Sequence, residues 1–377
     1  MSGPVFVLGR FPPPADGQTL ATERCAAFLD DAFEVRRLDT EPPGPSPLTA
    51  SPRFTLGRTA HYARLRSRLR RRLAEAPRAP VLWHAVSPAP LGHLRDVLAT
   101  APAFAPGQPV VAVLHRAGIE SLLGSAVTAR TSRRLVRRLS GVVFQSRALA
   151  ARAAPLVPEP LWRIVPNTVR DALVPTAEAI VARRARGPGQ PLHVLFLSNL
   201  LPEKGYAEVL EAVGHLRTGG GPIRLTVAGR WPTPDAQAQF EGRARALGVP
   251  VDVRGAVADP AEVARLHLEA DVLALPTTHP TETQPIAILE ALAAGTPVLS
   301  VDRPAIRDIV TDGVEGALVA PHDVRALASA LGRLADPDVW RAASVQAHAR
   351  FEGAFSPDVV GERWRALVRK TTESLGP

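Results

Sequence analysis

The chain has 377 residues, 46% hydrophobic and only 5% aromatic, with a net charge of +9. No run approaches the roughly 18 apolar residues of a spanning helix, and the first residues lack a signal peptide's apolar core. The single cysteine, Cys25, excludes an internal disulfide and a cysteine metal site. The length predicts two domains of roughly 180 residues each, in a cytoplasmic protein.

Charge divides along the chain. Residues 1–185 hold 26 arginines against 13 acids, whereas residues 186–377 hold 19 basic and 23 acidic residues. A basic first half suits an anionic partner, such as a membrane surface or a phosphate-bearing acceptor. Nucleic acid is not expected, because no RNP-type, finger or helix-turn-helix pattern accompanies the charge. Only Lys204 and Lys370 are lysines, and with 38 prolines this points to GC-rich codon usage, which dilutes the meaning of arginine number.

In chain order, Val5–Leu8 reads as a strand, Phe11–Gln18 as a Pro-rich turn, and Thr19 to about Asp31 as a helix. Gly17 is the residue of that turn able to let backbone approach a ligand closely, with Gln18 beside it. Tyr62–Leu73 places Leu65, Leu69 and Leu73 at four-residue spacing among arginines, and Arg130–Arg138 forms a second basic cluster. Each is either a solvated helix face or a dock for anionic lipid. Val81–His84 and Val110–Leu114 are short buried strands, and His115 stands just beyond the second, as a structural or a ligand-contacting residue. Val142–Phe144 and Arg163–Val165 complete an alternation of strands and helices that predicts a parallel α/β sheet. Composition then turns to Ala, Arg, Gly and Pro. This predicts a first domain over 1–175, a linker over 176–190 and a second domain over 191–355.

A second alternation runs through His193–Leu197, Arg224–Ala228, Val251–Val253, Val272–Leu275 and Val298–Leu299. After its first strand comes Leu197-Ser-Asn-Leu-Leu-Pro-Glu-Lys-Gly205, where Lys204 is placed to neutralise a diphosphate or simply to be solvated. The stretch Thr281–Ser300 sets Glu282 and Glu290 eight positions apart, with Pro285 suited to a helix's first turn and Gly295 to its stop. A helix N-terminus carries unpaired N–H groups and about half a positive charge, so it can hold a phosphate. Glu290 lies roughly 7–9 Å further along at ~1.5 Å per residue. One acid then faces the group on one side of the phosphate and the other acid the group on its far side, the shape of a nucleotide-sugar. A half-buried acid on an amphipathic helix is the plainer reading. Asp336-Pro-Asp338 reads as a turn between helices rather than a metal motif, and no metal site is expected. Trp364 and Leu367 share one face of a tail helix within 356–377.

The Glu282–Glu290 pair and the following Ala-Leu-Ala-Ala-Gly-Thr-Pro-Val resemble the Glu-x7-Glu segment of the retaining glycosyltransferases of family 4, the glycogen-synthase-like group 1 enzymes. Lys204 and Gly205 are similar to that family's Gly-Arg-Leu-x3-Lys-Gly motif, with Asn199 where the family has Arg. Thr283-Gln-Pro285 replaces a common Gly-Phe-Gly, and Val165-Pro-Asn-Thr-Val169 is similar to the family's Pro-Asn-Gly-Val turn. The resemblance implies an α/β GT-B fold: two Rossmann-like parallel-sheet domains across a cleft, the last helix returning to the first domain. It implies metal-independent transfer of a sugar from a nucleotide-diphosphate sugar, with no further cofactor, to a saccharide, lipid-linked or small-molecule acceptor held by the first domain. It further implies that Glu282 and His115 contact the sugar and that Glu290 holds the ribose. Lys204 and Asn199 would meet the diphosphate together with the amides of Gln284, Ile286 and Ala287, while the loop with Gly17 and Gln18 would lie over the phosphates. A nucleotide-sugar hydrolase or phosphorylase-like enzyme and a catalytically silent scaffold are the alternatives.

Overall fold

The computed structural model describes residues 2–12, 17–40, 56–87, 89–115, 117–186, 191–280 and 282–373. Residues 13–16 of the Pro-rich loop, 187–190 of the expected linker and Thr281 lie outside the described residues. The chain divides into two compact units, Met1–Pro166 with Val360–Pro377, and Asn167–Val359.

The first unit is built on a six-stranded, wholly parallel sheet of β1 (Ser2–Gly9), β2 (Phe33–Asp39), β3 (Val81–Trp83), β4 (Val110–Val113), β5 (Gly141–Phe144) and β6 (Trp162–Ile164). Their order is β2-β1-β3-β4-β5-β6, so the winding reverses between β1 and β3. Period-two alternation sends neighbouring β1 residues to opposite faces. Phe6 and Leu8 join Trp83 over Leu65, Leu69 and Leu73 of the helix Leu56–Leu73. Val5 and Val7 face Cys25, Ala26 and Leu29, together with Val360, Trp364, Leu367 and Val368 of the C-terminal helix Pro357–Glu373. Gly361 permits that helix its close approach, since a Cβ there would lie 2.9 Å from the Phe28 ring. β2 escapes the sequence reading because it is an edge strand whose Arg36 and Arg37 interrupt the apolar pattern and pair with Glu34 and Asp30.

The second unit repeats the plan with β7 (Leu192–Leu197), β8 (Ile223–Ala228), β9 (Val251–Gly255), β10 (Val272–Leu275), β11 (Val298–Val301) and β12 (Gly316–Val319). All pairs are parallel, the order is β12-β11-β10-β7-β8-β9, and the reversal falls between β7 and β10. The helix Ile286–Ala293 buries Ile288, Leu289, Leu292 and Ala293 and stops at Gly295, whose φ of 63° is the left-handed conformation a C-terminal glycine supplies.

The expected 176–190 linker is corrected. The helix Ala177–Arg186 occupies most of it and belongs to the second unit, whose boundaries fall after Pro166 and Val359 instead of at 175 and 355. Val169 and Leu173 are already in that unit's core. The physical reason is Arg183, buried above Trp340 with its guanidinium 5.1 Å from the ring centroid. It donates to the carbonyls of Ala270 (2.6 Å), Gly295 (3.3 Å), His267 (3.4 Å) and Leu268. These are the C-terminal carbonyls of two helices, where a cation is favoured.

Two outcomes are expected. Arg183→Met takes a charged donor from all four carbonyls, of which Gly295 keeps Ser344 Oγ and His267 keeps Thr296 Oγ1, and lowers the stability of the second unit by about 3 kcal/mol in urea unfolding. In the first unit, burial above all, and then the adjacent His115, hold the His84 imidazole well below the ordinary histidine range. The unfolded chain therefore gains a proton below about pH 6.5 that the folded chain refuses. Stability falls on acidification below about pH 6.5, by up to about 1.4 kcal/mol per pH unit from this group, and His84→Gln removes that part of the slope there in unfolding curves recorded against pH.

Candidate functional site

In parallel sheets ligands bind beyond the carboxyl ends of the strands at the point where winding reverses. In the second unit the loops leaving β7 and β10 flank that point. Lys204 comes from the first and Glu282 from the second, and their side chains form an ion pair, each 14% exposed. Thr277 Oγ1 donates to the same Glu282 oxygen at 3.2 Å. The loop is held from two sides: Thr278 N–H donates to the Glu203 carbonyl (2.7 Å), and Arg303, just past β11, donates to the His279 carbonyl (3.1 Å). Gly205 sets the spacing. Its φ is 85°, and a Cβ would meet Pro276 Cγ at 2.6 Å and the Pro276 carbonyl oxygen at 2.8 Å, so only glycine lets the two loops close on one another.

The helix Ile286–Ala293 begins beside this pair. Pro285 is its N-cap, one position ahead of the expected first turn, and no side chain caps it. The N–H groups of Ile286 and Ala287 precede any intrahelical acceptor. Gln284 is buried, with its side-chain oxygen accepting from Asn167 N–H at 2.6 Å, so that carboxamide anchors the 167 turn. Glu290, one turn along and 12% exposed, lies 3.4 Å from Nε2 of buried His267. Asn199 is exposed after β7. The site therefore offers one lysine, two acids of which one is already paired to it, and two open amides. It suits an anion flanked by hydroxyl-bearing groups.

The first unit brings two expected residues, Gln18 and His115, to either side of a third, His84, near its own reversal point. Gln18, in the first turn of the helix Gly17–Asp30, donates to the His84 carbonyl at 2.8 Å. His84 follows β3, wholly buried, and its Nδ1 lies 3.0 Å from Nε2 of His115, which follows β4. Gly9 at the end of β1 makes room, since a Cβ there would lie 2.9 Å from both the His84 and the Thr22 side chains. The Gln18 carboxamide thus holds the histidine segment. The basic helices are also sharper than expected. Leu65, Leu69 and Leu73 are core, so the outward face of residues 61–73 is mainly arginine and keeps no leucine for lipid. Asp336 lies at the turn between the helices Val324–Leu334 and Pro337–Ala354, as expected, and its carboxylate caps the second through the N–H groups of Asp338 and Val339.

Sequence reading missed Thr277, Arg303, His267 and His84. The first two sit in loops without periodicity. The two histidines are lone residues whose partners lie 23 and 31 positions away.

Residues 182–342 match the family model described as Glycosyl transferases group 1. The D-inositol 3-phosphate glycosyltransferase of Corynebacterium kroppenstedtii is 29% identical over 226 residues, covering 56% of this chain and 49% of that protein. The phosphatidyl-myo-inositol mannosyltransferase of Mycobacterium leprae is 33% identical over 171 residues, 45% of this chain and 44% of its own. The chain spans about half the length of the curated relatives it matches. Anabaena HepE, solved in complex with UDP, aligns over 98% of this chain and 100% of its own with a TM-score of 0.73 at 18% identity, a likeness of fold. Residues 182–342 thus resemble the group 1 glycosyltransferases, and the two parallel-sheet units have the GT-B fold.

Proposed function

We propose that this protein transfers a sugar, with retention of anomeric configuration, from a nucleoside-diphosphate sugar to an acceptor hydroxyl. The observation that carries the reading is the Lys204–Glu282 pair beside the uncapped start of the helix Ile286–Ala293. A diphosphate entering there competes with Glu282 for Lys204 and takes the open amides of Ile286 and Ala287. Glu282, released, turns to the sugar hydroxyls, and Glu290 receives the ribose diol. The bond from the anomeric carbon to the phosphate oxygen then breaks, and its electron pair goes to the diphosphate. Lys204 and the helix start stabilise that developing charge. The acceptor oxygen bonds the same face of the sugar, and its proton passes to the departing phosphate. His115 of the first unit contacts the sugar. HepE bound to UDP supports the donor class, and relatives named for inositol phosphate and phosphatidylinositol support a polyol or lipid-linked acceptor in envelope glycan or glycolipid assembly.

Glu282→Gln separates this reading from a silent scaffold. Freed from its acid, Lys204 binds a nucleoside diphosphate more tightly, on the order of fivefold by calorimetry, while sugar transfer falls about 100-fold. Lys204→Ala loses both binding and transfer. A panel of nucleoside diphosphates in thermal shift identifies the base. Unchanged transfer in both variants would sink the assignment.

The exposed arginines of the helices Leu56–Leu73 and Ala126–Val136, among them Arg64, Arg70, Arg71, Arg130, Arg133 and Arg134, suit an anionic membrane surface. With the leucines internal, attachment is electrostatic. Co-sedimentation with vesicles containing phosphatidylglycerol is expected to disappear at about 0.5 M salt; binding that persists there, or none at low salt, contradicts it.

A further inference from the structure

We propose that His84 is a positioning residue that fixes the tautomer of His115, making its Nε2 a hydrogen-bond acceptor and leaving the ring proton on Nδ1. The geometry is direct. His84 Nδ1 and His115 Nε2 are 3.0 Å apart, so one donates and the other accepts. His84 is wholly buried, and its own Nε2 has no hydrogen-bond partner among the described residues.

Two neutral arrangements are open. If His115 donated, the His84 proton would sit on Nε2 as a buried N–H with no acceptor, which leaves the desolvation of that donor uncompensated. If His84 donates from Nδ1, its Nε2 keeps only a bare lone pair, the less costly orphan. The second arrangement is favoured. A charged His84 would add the same orphan donor to the penalty of burying a cation, in line with its depressed pKa.

The ring has no freedom to choose otherwise. The indole of Trp364, from the C-terminal helix, lies over it with centroids 5.6 Å apart and planes inclined by 30°. Gln18 holds the His84 carbonyl, the His84 N–H donates to the Leu8 carbonyl at 2.7 Å, and the space left by Gly9 admits its Cβ. The C-terminal helix thus meets the ring, the first helix and β1 hold the His84 backbone, and the ring's hydrogen bond among the described residues is to His115.

The consequence for chemistry rests on the proposed sugar transfer, in which His115 contacts the sugar. A sugar losing its diphosphate becomes cationic, and an imidazolium beside it would oppose that charge. With Nε2 occupied by a donor, His115 stays a neutral Nδ1–H donor toward a hydroxyl.

Long-range proton–nitrogen NMR on uniformly 15N-labelled full chain tests this, with the His115 signals assigned by their loss in His115→Asn. The expected spectrum shows His115 as the Nδ1–H tautomer, retained in His84→Gln, whose amide can still donate, and lost in His84→Phe. In transfer assays His84→Phe is expected to lower kcat about tenfold with the donor KM unchanged, and His84→Gln to restore most of it. An Nε2–H tautomer of His115 in the unmodified protein overturns the proposal even where His84→Phe fails to fold, and so does a folded His84→Phe that keeps the Nδ1–H form. Full activity of His115→Asn would refute the sugar contact alone and leave the tautomer result to decide the role of His84.

Discussion

Parallel pairing is the constraint on which everything else rests. Because every strand in each sheet runs the same way, all carboxyl ends of a sheet open on one edge. Where the winding reverses, the two adjoining loops diverge and leave space between them. In the second unit these loops carry Lys204 and Glu282, and in the first unit the equivalent positions carry the first helix with Gln18 and the strand end with His84. No long-range design beyond the sheet is needed to bring such residues together. The loops need only be short and closely held, which Gly205, Arg303 and Gly9 accomplish by different means.

The site of the second unit holds its lysine in an ion pair with the acid proposed to act on the sugar. That arrangement answers an electrostatic problem. A lone ammonium and a lone carboxylate, each mostly withdrawn from water, would both suffer desolvation, and pairing relieves them mutually. In the proposed transfer it also couples their fates, since a diphosphate that claims the lysine would free the acid for the sugar. With Asn199 standing where the family pattern has arginine, the coupling matters more here, because no second cation at that position shares the load. The neutral amides of the helix start supply attraction without adding a charge that must be buried.

The first unit treats its histidines in the opposite way. His84 is wholly buried, its ring beside the Trp364 indole and hydrogen-bonded to His115, and burial holds its imidazole well below the ordinary histidine range. Such a group is poor at acid–base work and good at holding a neighbour in one protonation state. Burial there serves geometry, whereas in the second unit partial burial serves electrostatics.

The sequence by itself determined the α/β class, most strands of both sheets, the paired acids, Lys204 and the helix that separates the acids. These arise from local patterns: apolar runs of strand length, a proline and a glycine bounding a helix, and fixed spacing along the chain. It misread what depends on partners distant in sequence. Residues 176–190 looked like a linker because Ala, Arg, Gly and Pro carry no core signal, yet Arg183 ties the helix Ala177–Arg186 to carbonyls 84 to 112 positions away. The helix of residues 62–73 read as a solvated face or a dock for anionic lipid, and only packing against β1 and β3 shows its leucines spent on the core. Lys204 and Glu282, 78 positions apart, and His84 and His115, 31 apart, become pairs only when parallel strands deliver their loops to the same edge. Local periodicity encodes which segments form strands and helices; which side chains meet is decided by the order of the strands, and a single sequence does not display that order.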